Sequence, residues 1–317
     1  MTFTHAFPFD PSYGHTLESL LQVEPPAPPD DFAAFWSARF ERALGTAPAA
    51  ELRRCDWNHP RFEVFDLRYQ STESVSIAGW ALVPMERPIA RGFVVGHGYG
   101  GREGPDLDLP FDDAAMLFPC FRGLSGSRCA GIPATPNEHV LCGIESRERY
   151  VLGGCVDDVW LAVTALQELF PEAADRIGYL GISFGGGIGA LAAPWDARIR
   201  RAHLNVPTFG HQSLRLTLPT VGSGEAVRQH HLSRSHVMET LAYYDAASAA
   251  QWTRIPVHIA AALFDPVVAP PGQFAIYNAL AGLKELFVLD AGHFDYPAKR
   301  EQDRALSAAI ARFFDQP

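Results

Sequence analysis

Arg176-Ile177-Gly178-Tyr179-Leu180-Gly181-Ile182-Ser183-Phe184-Gly185-Gly186-Gly187 is the stretch on which the reading of this chain turns. It opens with an apolar run short enough for a buried strand. It passes through Gly-x-Ser-x-Gly and enters Ile188-Gly189-Ala190-Leu191-Ala192-Ala193, which reads as a helix start. Strand, sharp turn and helix is the setting in which such a turn lifts a serine hydroxyl clear of a sheet. Gly181 and Gly185 have no Cβ, so strand and helix can approach each other on either side of Ser183. Taken alone the pattern is weak. A chain with 27 glycines can meet it by accident in a surface turn. Its weight comes from the rest of the sequence.

Toward the C-terminus, residues 199–206 read as a strand and 237–250 as a helix. An apolar strand over 257–264 ends in Asp265-Pro266. A helix over 274–280 follows, then a last strand over 286–289 with Gly292-His293 just past it, and a closing amphipathic helix over 305–314. Residues 207–235, of mixed polarity, read as a cap or interface insertion. Toward the N-terminus, 150–170 carries apolar residues at helical spacing and Pro171 stops it. Residues 128–146 read as a long loop. Strands are expected over 116–121 and 91–96, the second followed by His97-Gly98-Tyr99-Gly100-Gly101. Residues 62–69 and 75–83 alternate apolar and polar, as an antiparallel edge joined through 71–74 should. A helix over 32–44, capped by Asp30 or Asp31, sets Phe32, Phe35, Trp36, Phe40 and Leu44 on one side and Arg39, Glu41 and Arg42 mostly opposite. Residues 1–29 are proline-rich and irregular. Strands alternating with helices imply a mostly parallel sheet covered on both faces. We read one α/β domain over 1–317, with 1–50 as an N-terminal extension and helix.

In an open α/β sheet, ligands bind beyond the carboxyl ends of the strands. Ser183, Asp265 and His293 each follow an expected strand at that end. Their chain order, Ser then Asp then His, belongs to the α/β-hydrolase arrangement. A serine hydroxyl is a poor nucleophile unless a base takes its proton as it attacks. His293 fits that task, because an imidazole is largely neutral near pH 7. Asp265 would fix the ring's tautomer and stabilise the imidazolium. The bland alternative for Asp265-Pro266 is a turn. Asp290 and Asp295 lie nearer His293 in sequence, but neither has the separate strand end that the geometry calls for. His97, His203, His211, His230, His231, His236 and His258 read as core, cap or surface residues. The oxyanion formed in acyl transfer needs donors. The backbone N–H groups of Phe184, after the nucleophile, and of Tyr99, in the Gly-rich loop, are the candidates.

The formal net charge is −10, which argues against a nucleic-acid groove or an anionic membrane surface as partner. The five cysteines are scattered without a C-x-x-C pair, so free thiols in a reducing compartment are expected and a zinc site is not. His230-His231 has no further ligand at suitable spacing, so no metal or cofactor is expected. The N-terminus lacks a basic patch before an apolar run, and no stretch approaches the ~20 apolar residues of a membrane span. The expectation is a cytoplasmic chain.

Several segments together resemble the acetyl xylan esterases and cephalosporin C deacetylases of carbohydrate esterase family seven. They are Pro29-Asp30-Asp31-Phe32-Ala33-Ala34-Phe35-Trp36, the loop from His97 to Gly101, Arg122-Gly123, the stretch from Gly181 to Gly187, Glu239-Thr240-Leu241-Ala242-Tyr243-Tyr244-Asp245, Asp265-Pro266, Phe274-Ala275-Ile276-Tyr277-Asn278-Ala279-Leu280 and Gly292-His293. The resemblance implies an α/β-hydrolase fold and removal of acetyl groups from small sugars and related esters, without a metal. It maps the triad onto Ser183, Asp265 and His293 and the oxyanion donors onto Tyr99 and Phe184. It also implies a homo-oligomer, since members often form hexamers. Three positions depart from the family's pattern. Leu124 stands for a glutamine, Phe184 for the glutamine after the nucleophile, and Phe294 for a glutamate. These changes suggest a site with fewer polar groups and a preference for a more apolar acetyl or short-acyl ester. A lactone or peptide hydrolase of the same fold, or a catalytically silent ligand-binding protein, are the alternatives.

Overall fold

The computed structural model describes residues 3–316. Nine strands form one sheet: β1 (Glu51–Arg54), β2 (Phe62–Gln70), β3 (Ser76–Pro84), β4 (Arg91–Gly96), β5 (Ala114–Pro119), β6 (Ile177–Ile182), β7 (Ile199–Asn205), β8 (Val257–Ala262) and β9 (Lys284–Leu289). Their order is β1-β2-β3-β5-β4-β6-β7-β8-β9. β1, β2 and β3 make an antiparallel edge, β3 meets β5 antiparallel, and every pairing from β5 to β9 is parallel. The half-buried alternation of β2 and β3 is the signature of that edge. The parallel strands β5 and β8 are buried throughout, as strands covered on both faces must be.

The helices are α1 (Leu17–Leu20), α2 (Phe32–Leu44), α3 (Pro136–His139), α4 (Val151–Leu169), α5 (Phe184–Ala192), α6 (Gln212–Arg215), α7 (Ser223–Ser233), α8 (Val237–Leu241), α9 (Ala246–Ala250), α10 (Pro270–Ala279) and α11 (Lys299–Asp315). Trp36, Trp160, Ile188 and Phe274, from α2, α4, α5 and α10, join the larger apolar layer on one face of the sheet. Leu306 and Ile310 of α11 join the layer on the other. The expected α/β-hydrolase architecture is therefore present, with α1 and α2 as its N-terminal helical extension.

The differences have local causes. β1 went unread because its burial is slight. β5 lies two residues earlier than expected. The helix expected over 237–250 is broken, because the buried Asp245 accepts the N–H groups of Ala247 and Ser248 and so starts α9 afresh. α10 begins at Pro270, where proline fits the first helical turn. α3 interrupts the loop expected over 128–146, and 207–235 contains α6 and α7. Asp31 takes the N-cap position of α2 without capping it. Its side chain instead accepts from Tyr243 and Arg147. Arg39 does not lie on the polar side of α2. It is 6% exposed, and its guanidinium is bound in a fork by Asp157 of α4, with two contacts of 2.8 Å. Among the described residues, no helix is long and apolar enough to cross a membrane.

Candidate active site

β6 ends at Ile182, and Ser183 bridges it to α5 with φ 54° and ψ −110°. That conformation is disfavoured for a side chain with a Cβ and costs about 1–3 kcal/mol. The surroundings impose it. The Ser183 N–H is held by the Asn205 carbonyl at 2.8 Å, and the Gly185 N–H by the His97 carbonyl at 2.9 Å. A Cβ on Gly185 would fall 2.5 Å from the Gly96 backbone, and one on Gly181 would fall 2.5 Å from the Gly185 carbonyl oxygen. Both glycines are thus required by close approach, and the tight turn aims Ser183 out of the sheet.

The carboxyl ends of β8 and β9 supply the partners. His293 Nε2 lies 2.9 Å from Ser183 Oγ, and His293 Nδ1 lies 2.8 Å from Asp265 Oδ2. A carboxylate accepts, so Nδ1 carries the proton and Nε2 is left to accept from the serine hydroxyl. Asp265 is fully buried. Its Oδ1 accepts the N–H groups of Val267 and Val268, both at 2.9 Å, and Oδ2 also accepts from Gln273 Nε2 at 3.1 Å. The turn that competed with the acid role in the sequence is therefore real, and it holds the carboxylate in place. Burial disfavours the His293 imidazolium, but the charge and hydrogen bond of Asp265 outweigh it, so His293 titrates above its usual 6.5. Asp290 and Asp295 make no hydrogen bond to the ring. The Asp290 N–H is turned to Gln302.

Phe184 opens α5, so its N–H has no partner within the helix. The Gly98-Tyr99 segment lies beside Ser183, since a Cβ on Gly98 would sit 3.6 Å from the serine Cβ. Two histidines brace this segment. His97 Nδ1–H donates to the Gly98 carbonyl at 2.6 Å, and its Nε2 accepts from the Phe121 N–H at 3.0 Å. Burial pushes the His97 pKa down to about 3, which keeps the ring neutral for both bonds. His139 Nε2–H donates to the Arg122 carbonyl at 2.9 Å, which leaves Nδ1 to accept from the Tyr99 hydroxyl at 3.2 Å. The Arg122 guanidinium is in turn fixed by Asp158 at 2.7 Å. The Tyr99 ring stacks on Phe184 at 4.0 Å between centroids. Both candidate oxyanion residues are thus tied to each other and to the core.

A cleft of about 280 Å³ is bordered by Ser183, His293, Tyr99, Thr208, Arg215 and Gly224. A second hollow, of about 430 Å³, lies toward Asn205, Phe294 and Tyr296. Ile182 and His293 line both, so the serine–histidine pair stands at the partition between them. An arginine-rich cleft at Arg91, Arg176 and Arg200 opens at the opposite ends of the strands, away from these residues. The expectation of a less polar site does not hold at two of its three positions. Phe184 is fully buried and packs against Tyr99, Phe121, His139 and Phe209. Leu124 is 2% exposed and lies in the core. Only Phe294 stays beside the site, in an aromatic group with Phe3 and Phe264. Sequence reasoning missed Gln273 and Arg215. The proline pair that starts α10 was the one signal for Gln273, because it brings that residue into the helix facing Asp265.

A serine on a strained strand-to-helix turn, hydrogen-bonded to a histidine that is itself bonded to an aspartate, both at the ends of later strands of a mostly parallel sheet, is the arrangement of an α/β-hydrolase. The chain belongs to the acetyl xylan esterase (AXE1) family, whose profile matches residues 16–310. It is 20% identical over 287 residues to the acetyl esterase Axe7A of Xylanibacter ruminicola, an alignment spanning 82% of this chain and 62% of that protein. The fold is similar to that of an acetyl xylan esterase from Paenibacillus sp. R4, with a TM-score of 0.80 and 24% identity over 93% of this chain and 99% of that one. It is also similar to acetyl xylan esterase 1 from Thermoanaerobacterium sp. JW/SL YS485, with a TM-score of 0.82 and 21% identity over 95% of this chain and 99% of that one.

Proposed function

We propose that this chain is a serine esterase that removes acetyl and other short acyl groups through an acyl-enzyme. The observation that carries the reading is the continuous relay from Ser183 Oγ to His293 Nε2 (2.9 Å) and from His293 Nδ1 to Asp265 Oδ2 (2.8 Å). Ser183 attacks the ester carbonyl while His293 takes its proton. Asp265 steadies the imidazolium, and the backbone N–H groups of Tyr99 and Phe184 receive the developing oxyanion. His293 then passes the proton to the leaving alcohol. Water, activated by the same imidazole, releases the acid and restores Ser183.

Family membership and the small volume of the cleft favour an acetylated sugar or a similar small ester as substrate. The same chemistry would remove the acetyl group of cephalosporin C. A homo-oligomer working in the cytoplasm is part of this reading and rests on the family resemblance and the cysteine pattern. Fluorophosphonate labelling and hydrolysis of 4-nitrophenyl acetate test the central claim. Ser183→Ala should abolish labelling and lower kcat by at least about 10³-fold. Equal turnover by the variant would overturn the assignment.

A further inference from the structure

Arg39, Arg122 and Arg215 are buried, and the first two face a buried aspartate. Arg39 meets Asp157 at 2.8 Å and Arg122 meets Asp158 at 2.7 Å. Arg215 differs. It is 8% exposed, and among the described residues no carboxylate forms an ion pair with it. Its Nη1 donates to Gln212 Oε1 at 3.0 Å, and the guanidinium lies over the Phe209 ring at 5.6 Å. Its Nη2 edge lies toward Gly224, 3.3 Å from where a Cβ on that residue would sit. Arg215 and Gly224 border the same cleft as Ser183.

The charge of the buried Asp245 favours the Arg215 guanidinium from a distance, but none of the neighbouring acidic or hydroxyl groups makes an ion-pair contact with it, because each is hydrogen-bonded elsewhere. The Asp245 carboxylate accepts the backbone N–H groups of His211, Gln212, Ala247 and Ser248. The Tyr99 hydroxyl donates to His139, and the Tyr150 hydroxyl to the Val140 carbonyl. Burial accordingly works against the charge and lowers the pKa of Arg215. A buried charge with no carboxylate in contact is costly to a folded chain, and a bound anion would offset that cost. A guanidinium also presents a planar fork that matches a carboxylate.

We infer that Arg215 anchors a carboxylate carried by the ester, so that the cleft selects an anionic short-acyl ester over its neutral counterpart. This rests on the esterase reading above and names the substrate class of that site. The carboxylate can belong to the alcohol or to the acyl chain, and two substrate pairs separate these sources. Phenyl acetate against 3-acetoxybenzoate puts the charge on the alcohol. 4-Nitrophenyl butyrate against 4-nitrophenyl hemisuccinate, corrected for the buffer rate, puts it on the acyl chain. In one pair the charged ester should have a kcat/KM about 10- to 100-fold higher, carried mainly by KM. Arg215→Met should collapse that ratio, and Arg215→Lys should keep part of it. The ratio is taken within each variant, so a smaller folded fraction cancels. No preference for charge in either pair, or an unchanged ratio in Arg215→Met, would overturn the anchor. If no ester is turned over and Ser183 is not labelled, it is the esterase reading that fails. Calorimetry with 3-hydroxybenzoate against 3-hydroxybenzamide then reads the anchor without chemistry. A carboxylate preference lost in Arg215→Met supports it, and equal binding of the two overturns it.

Discussion

Asp158→Asn tests whether the brace behind the Gly98-Tyr99 loop is electrostatic. Asp158 is fully buried and Arg122 is 1% exposed. The carboxylate accepts the Arg122 N–H at 3.0 Å, Nη2 at 2.7 Å and Nε at 3.1 Å, together with the Ser71 hydroxyl at 2.6 Å. Asparagine keeps the volume, but it removes the charge and turns an amide donor toward a group that can only donate. Breaking a buried pair on one side costs about 3–5 kcal/mol, most of it from the charge left behind. Glu73 still reaches Arg122 Nη1 at 3.1 Å from an exposed position, so the low end, about 3 kcal/mol, is expected. At ~2.1 cal/mol/K per residue, the 317-residue chain should then lose about 4–5 °C in Tm. Calorimetry at neutral pH measures this. The loss should also reach the site, because the Arg122 carbonyl orients His139 and His139 holds Tyr99. kcat should fall more than KM rises. A variant that melts within 1 °C of the parent would refute the reasoning.

Two further outcomes concern pH. His293 titrates above 6.5 and, as the proposed base, must be neutral to act, so the acid limb of kcat/KM should have its midpoint above 6.5. Asp265→Asn should move that midpoint down as well as slowing turnover, and a limb at or below 6.5 in the parent would contradict the electrostatics. His203 and His258 are buried side by side with Nδ1 atoms 2.8 Å apart. Burial pushes them to about 3 and about 4. The unfolded chain therefore binds more protons than the folded one below pH 6.5, so stability should fall as pH drops, by about 2 kcal/mol between pH 6 and 5 for the pair. Urea midpoints at the two pH values measure it. His258→Phe should remove about half of the pair's share, about 1 kcal/mol, and midpoints independent of pH would exclude the account.

The sequence made the Ser183–His293–Asp265 cluster legible because each member is announced by its own chain neighbourhood. Ser183, Asp265 and His293 each close an apolar run, and glycine or proline beside them marks a turn at a strand end. That signal is local. Gln273 and Arg215 make their contacts only in three dimensions: the Pro270-Pro271 pair marks the helix that carries Gln273 but not what it faces, and nothing within a few residues of Arg215 announces it. Arg39 misled for the same reason, since its helical position reads as polar until Asp157 arrives from another helix. Leu124 and Phe184 show a different limit. A polar-to-apolar change beside a catalytic serine reads as a change in the substrate's surroundings, which holds only if the side chain faces the substrate. At residue 184 the backbone and the side chain part company. The helix start frees its N–H toward the site, while the ring turns inward onto Tyr99. The aromatic ring therefore supports the loop: by stacking on Tyr99 it fixes the plane of the residue proposed as the second oxyanion donor. The polar residues that do border the cleft include Thr208 and Arg215, which no motif contains.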